Sequence, residues 1–168
     1  LLEEYPESYK IFLLALNCGL RVSEIDHLLW RNVDLENNLI IVENTEYHQL
    51  KSEDSAGQIK ISNQITDLFK QFKTESKGLF VVDEMCPALT NLSRRKYRLA
   101  PHLRVLKRWL RMKGVTANKP IHELRKEVGS IIARDHGIYA ASRFLRHSDI
   151  KVTADYYLDM KIEIVPEF

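Results

Sequence analysis

Two cysteines in 168 residues, Cys18 and Cys86, are too few for a disulfide scaffold and point to a reduced, cytoplasmic setting. No apolar run approaches the roughly 20 residues that a membrane span needs, and no signal-peptide pattern opens the chain. Internal repeats, low-complexity tracts and evident linkers are missing as well. The chain therefore reads as a single domain over residues 1–168, long enough to bury a real core. It opens LLEEYPES without methionine, as expected of a domain drawn from a longer protein. There is no metal-ligand cluster and no phosphate-binding P-loop. His122 and Glu123 begin a metalloprotease pattern, but Lys126 stands where its second histidine must be. Neither a metal nor another cofactor is expected.

The most telling shortage is of acid. Residues 85–122 hold no Asp or Glu and ten Lys or Arg, a local charge of +10 inside a chain whose net charge is +2. Residues 1–84 sum to −7 and residues 123–168 to −1. A charge run is ordinarily a solvated helix face. Ten bases without one balancing acid shift the reading toward phosphate contacts and a polyanionic partner. Arg94, Arg95, Lys96 and Arg98 are the expected phosphate contacts within this block.

The patterning is mainly helical. PESYKIFLLALNCG is a buried helix with Pro6 in its first turn and Gly19 just past its end. SEIDHLLW begins a second, where Ser23 and Asp26 have the spacing of a capping box with a shorter acid. NLIIVEN and GQIKIS predict a small antiparallel sheet. NQITDLFKQFK returns to helical spacing, and LFVV is a strand or a buried extended piece. In PHLRVLKRWLRMKG, residues Leu103, Leu106, Leu110, Val105, Trp109 and Met112 are spaced for burial. Two more helices follow, split at Gly137, and a last one carries Tyr156 and Tyr157. The fold class is mainly α with a small antiparallel β-sheet.

Some side chains suit chemistry. Arg21 sits in a short turn between two helices, which holds a guanidinium rigidly enough to fork a phosphate. Taken alone, a structural arginine paired with Glu24 is the simpler reading. His122 and Arg125 are three apart, so they share a helical face. His122 alone is equally a hydrogen-bonded histidine at a helix start.

Taken together and in order, GLRVSE, LKSEDSAGQIKI, HELR, LRHSDI and the closing tyrosines resemble the catalytic domain of the tyrosine recombinases, the phage-integrase family. The resemblance covers almost the whole chain. It implies that Arg21, Lys51, His122, Arg125 and His147 form a catalytic set around one DNA phosphate, with a tyrosine as nucleophile. Leu145, Arg146 and His147 match a Leu-Gly-His segment, with Arg146 in place of the usual glycine. A position requiring positive φ would resist arginine, though tight turns do accept other residues, and an added cation beside a phosphate site need not harm binding. Lys126 and Glu127 also depart from the more usual polar pair.

The chemistry implied is cleavage and rejoining of DNA through a covalent 3′-phosphotyrosine, independent of metal and ATP. A phenol with an ordinary pKa near about 10 needs cationic surroundings to attack. Arg21, Arg125 and His147 would stabilise the charge developing on the phosphate oxygens. Lys51 would protonate the leaving 5′ oxygen, and His122 would assist proton transfer or position the phosphate. Tyr156 follows His147 by nine residues and Tyr157 by ten, and both spacings occur in the family. Thr153 and Asp159 flank the pair as in the ten-residue pattern, which favours Tyr157. The implied partners are double-stranded DNA and three further copies of the chain, without a membrane. A separate N-terminal DNA-clamping domain, usual in such enzymes, is expected to be absent from this chain. Two rivals remain: a type IB topoisomerase-like relaxing enzyme, and a relative that binds DNA without catalysis.

Overall fold

The computed structural model describes residues 1–52, 55–83, 97–147 and 149–157. Helix α1 (Pro6–Asn17) carries its proline in the first turn, where a missing N–H removes no helical bond. It ends at Cys18 and leaves through Gly19 at φ +58°. Ile11 and Leu14 are fully buried at its centre, and α1 packs against both later long helices.

Helix α2 (Val22–Asp26) differs from expectation at its start. The N-cap is Arg21 rather than Ser23, so Glu24 occupies the third helical position and its Oε2 accepts the Arg21 backbone N–H at 2.7 Å. Asp26, released from capping, is buried. It accepts the backbone N–H groups of Arg98 (3.1 Å) and Leu99 (2.8 Å) and so pins the entry to a later helix.

A 3₁₀ turn at Trp30–Asn32 leads into an antiparallel sheet of β1 (Val33–Asp34), β2 (Leu39–Val42) and β3 (Gly57–Lys60), in that order. Val33 pairs with Ile40 and Ile40 with Ile59, which stacks three buried aliphatic side chains on one face. Alternate residues along the strands face the other way, as period-2 alternation requires. Ser62 caps α3 (Asn63–Glu75) by accepting the Ile65 N–H at 3.3 Å, and Phe69 is its fully buried anchor. The LFVV segment is an extended piece: Val81 and Val82 are buried, and the Val81 N–H donates to the Leu28 carbonyl at 2.9 Å.

Helix α4 (Ala100–Met112) buries Leu103, Leu106 and Leu110. Met112, expected inside, is 74% exposed. Two residues past buried Leu110, it points to the opposite side of the helix from the Leu103, Leu106 and Leu110 stripe. Helix α5 (Pro120–Phe144) breaks at Gly137, whose φ of +86° and ψ of 164° are non-helical. Helix α6 (Ile150–Tyr157) closes the described chain and packs against α5. Among the described residues no helix is long and apolar enough to cross a membrane.

Candidate active site

Where α2, the β2–β3 loop, α4, the start of α5 and the turn before α6 meet, they enclose a cleft of about 750 Å³. Arg21, Lys51, His122, Arg125 and His147 all line it. These are the five candidate residues besides the tyrosine, drawn from positions 126 apart in sequence. Lys107 of α4 and Lys119 before α5 also reach the cleft, and no carboxylate lines it among the described residues. Five cationic side chains facing one concavity raise the local concentration of an anion.

Arg125 is buried at the back of this cleft. Its two terminal nitrogens donate to the carbonyls of Gly19 and Leu145, which fixes the guanidinium between the Arg21 turn and the His147 turn. Gly19 is required for that approach. A Cβ there would lie 2.9 Å from Phe144 Cε1 and 3.0 Å from Leu145 Cδ2, in a backbone conformation that L side chains resist. Arg21 is a third exposed at its side chain, its Nη1 donating to Glu24 Oε1 at 2.7 Å and its Nη2 to the Arg146 carbonyl at 3.2 Å. Pairing with Glu24 and facing the cleft are thus compatible: the ion pair orients the guanidinium that lines the site.

His147 Nδ1 and Thr153 Oγ1 share a hydrogen bond of 2.8 Å, which ties the histidine to α6. Burial, with Arg125, Arg21, Arg146 and His122 nearby, pushes the His147 pKa down to about 4. The ring is therefore neutral at pH 7. His122 is exposed at the cleft rim, and its pKa is also lowered, first by partial burial and then by Lys126 and Arg125. Lys51 is exposed on the β2–β3 loop with its side chain at the cleft. Tyr156 and Tyr157 form the last turn of α6, and the direction of their side chains lies outside the described residues.

The expected DNA contacts fare differently. Arg94, Arg95 and Lys96 lie outside the described residues. Arg98 does not line the cleft: Nε and Nη2 donate to the Asp26 carbonyl at 3.1 and 2.9 Å, Nη2 also donates to Val82 O, and the guanidinium lies 4.1 Å from the Phe80 ring centroid. Arg146 does adopt positive φ, at +52°, and its side chain turns inward to Glu24 rather than lining the cleft. Lys107 lines the cleft although the sequence pattern did not set it apart from the other bases. Glu24 pairs with Arg21 as its spacing allowed, and Thr153, a flank of the tyrosine pair in the sequence, holds His147, a contact that its spacing to the histidine did not announce.

A helical domain with a three-stranded sheet, and with two arginines, a lysine and two histidines gathered in one cleft, has the architecture of a tyrosine recombinase catalytic domain. The chain belongs to the phage integrase family, whose model matches residues 3–162. Solved structures share the fold. An integrase of the Tn1549 transposon, in complex with circular intermediate DNA, is 21% identical with a TM-score of 0.65, the match covering 92% of this chain and 56% of that one. The XerA recombinase is 17% identical with a TM-score of 0.67, over 92% of this chain and 53% of its own. A lambda integrase dimer bound to a COC′ core site is 16% identical with a TM-score of 0.61, over 98% and 49%. The chain thus spans about half the length of these solved relatives. No curated protein matches it.

Proposed function

We propose that this chain is the catalytic domain of a site-specific DNA recombinase, acting through a 3′-phosphotyrosine. The observation that carries the reading is the convergence of Arg21, Lys51, His122, Arg125 and His147 on one cleft. In the proposed step the Tyr157 phenol oxygen attacks phosphorus, forming a P–O bond as the bond to the 5′ oxygen breaks. Arg21 and Arg125 neutralise the non-bridging oxygens, where charge builds most in the transition state. Neutral His147, its Nδ1 engaged by Thr153, directs Nε2 to the same phosphate. Lys51 supplies the proton taken up by the departing 5′ oxygen, and the His122 ring, its pKa lowered, accepts the proton that the phenol loses. The phosphodiester energy is conserved in the phosphotyrosine, so attack by another 5′ hydroxyl rejoins the strand without ATP. Exchanging two duplexes takes four such cleavages, so the acting unit is a homotetramer on paired double-stranded sites.

The test is a nicked suicide duplex taken from the DNA that borders the encoding gene, with the covalent adduct read on a denaturing gel. Tyr157→Phe should abolish the adduct with DNA binding retained, and Tyr156→Phe should keep it. Adjacent helical side chains point about 100° apart and cannot both reach one phosphorus. Phosphotyrosine mapped to Tyr156 would move the nucleophile by one residue. An adduct with plasmid relaxation but no exchange between two duplexes would make the protein topoisomerase-like. Binding without any adduct would leave it a DNA-binding relative.

A further inference from the structure

Arg146 stands where the resemblance places glycine, and it holds a left-handed backbone, φ +52°, that a side chain disfavours. What its side chain does there is specific. Nη2 donates to Glu24 Oε2 at 2.7 Å, while the other oxygen of the same carboxylate accepts from Arg21. Nε donates to the Ser55 carbonyl at 3.1 Å. The aliphatic stem crosses Gly57 at the start of β3, where a Cβ would come within 3.1 Å of Arg146 Cδ. Ser55 is in turn bound to Ser52 twice, by its backbone N–H to the Ser52 carbonyl at 3.0 Å and by a hydroxyl–hydroxyl contact of 3.1 Å. Ser52 is the neighbour of Lys51.

We propose that Arg146 is a positioning residue that couples the Lys51 loop to the Arg21 turn, so that the leaving-group acid and the phosphate fork are held in one register. Resting on the recombinase reading above, this makes Arg146 act through Lys51, whose loop it ties to the fixed Arg21 turn, rather than on the phosphate. Glycine at this position has no side chain with which to make the link. The device belongs to this sequence, and Gly57 is its necessary counterpart.

Sulfur in place of the bridging 5′ oxygen separates this role from a general loss of structure. On ordinary DNA the P–O5′ bond breaks and the oxygen must gain a proton. On the sulfur duplex the P–S bond breaks and a thiolate departs without one, the phenol losing its proton in both cases. The experiment uses the full chain, nicked duplexes from the DNA bordering its gene in both forms, and the variants Arg146→Gly, Arg146→Lys and Lys51→Ala. Arg146→Gly should cleave ordinary DNA about tenfold or more slowly, yet the sulfur duplex within about threefold of the parent, because general acid catalysis contributes about 10²–10⁴-fold. Lys51→Ala should show the same pattern. Arg146→Lys, which keeps a charge for Glu24 but has no Nε donor for Ser55, should fall between. Equal slowing on both duplexes, or parental rates on both, would overturn the proposal. A second measurement needs no DNA: amide exchange at Ser55 should quicken in Arg146→Gly while Ile11 and Leu14 in α1 keep their protection. If the parent forms no adduct on any duplex, the recombinase reading has failed. Exchange then decides the coupling alone, and an unchanged Ser55 overturns it.

Discussion

A guanidinium and an ammonium carry the same charge and present it differently. Arg21 offers a planar fork already oriented by Glu24 through Nη1 and by the Arg146 carbonyl through Nη2. Arg21→Lys should retain DNA affinity and slow adduct formation, by the ~2.7–4 kcal/mol that loss of one transition-state donor costs. A parental cleavage rate in this variant would make Arg21 structural. Its motif was legible because its residues are local: the arginine, its turn and its glutamate fall within four positions. His147 was legible by motif and opaque in environment, since its cationic neighbours come from α2, α5 and its own turn. They and its burial hold its pKa at about 4 against an ordinary 6.5. Below pH 6.5 the unfolded chain binds a proton that the folded chain refuses, so stability present at neutral pH is lost as pH falls from about 6.5 to about 4. His122 is shifted in the same direction and adds to the slope. Denaturant midpoints between pH 7 and pH 4 should fall less steeply in His147→Asn, and an unaltered slope would show the ring to be freely solvated.

Helices announced by apolar periodicity were legible in place, α1 with both of its ends. Helix α1, the Gly137 break and the β2–β3 pairing follow from apolar spacing, proline and glycine placement, and β-rich composition. What the sequence obscured are choices made between elements. Asp26 has the spacing of a capping acid, but burial against the start of α4 gives it two backbone donors from residues 98 and 99 instead, and Glu24 takes the cap. Met112 follows the second apolar row of α4, Val105 and Trp109, which the core covers only in part, and it ends on the open side of the helix. The two-residue strand β1 is too short to leave a pattern. At this scale the sharpest dependence is on Gly19, where a positive φ and two close side chains of the α5 end coincide. Gly19→Ala should destabilise the fold by about 1–2 kcal/mol from backbone conformation alone, with displacement of Phe144 adding to it. Because the Gly19 carbonyl also holds Arg125, adduct formation should fall under conditions where the variant remains folded. Urea denaturation alongside the cleavage assay checks both, and parental stability would mean that α5 yields freely at this contact.

Across the whole molecule the charge is partitioned rather than balanced. Residues 1–84 are net acidic and residues 85–122 hold all ten of their charges as bases, while the cleft draws its cations from both regions and from α5. That division was plain in the sequence; which bases serve DNA and which serve the fold was not. Arg98 illustrates the difference, since two carbonyls and an aromatic face engage a guanidinium that composition alone assigns to the polyanion. Lys107, on the exposed side of α4 and at the cleft, has nothing in its spacing to set it apart from the other bases of the block. Salt dependence sorts these roles. Removing one cation–phosphate pair lowers the log–log slope of binding by about 0.9, while removing a structural cation changes stability instead. Lys107→Ala should reduce the slope by about one such step on cognate and random duplexes alike, with an unchanged urea midpoint. Replacing Arg94, Arg95 and Lys96 together should remove up to about 2.7 on the same scale. Arg98→Ala should do the reverse, lowering the urea midpoint and leaving the slope of the folded protein in place. If the triple variant binds with the parental slope, the basic stretch faces solvent or another subunit, and the cleft cations carry the DNA on their own.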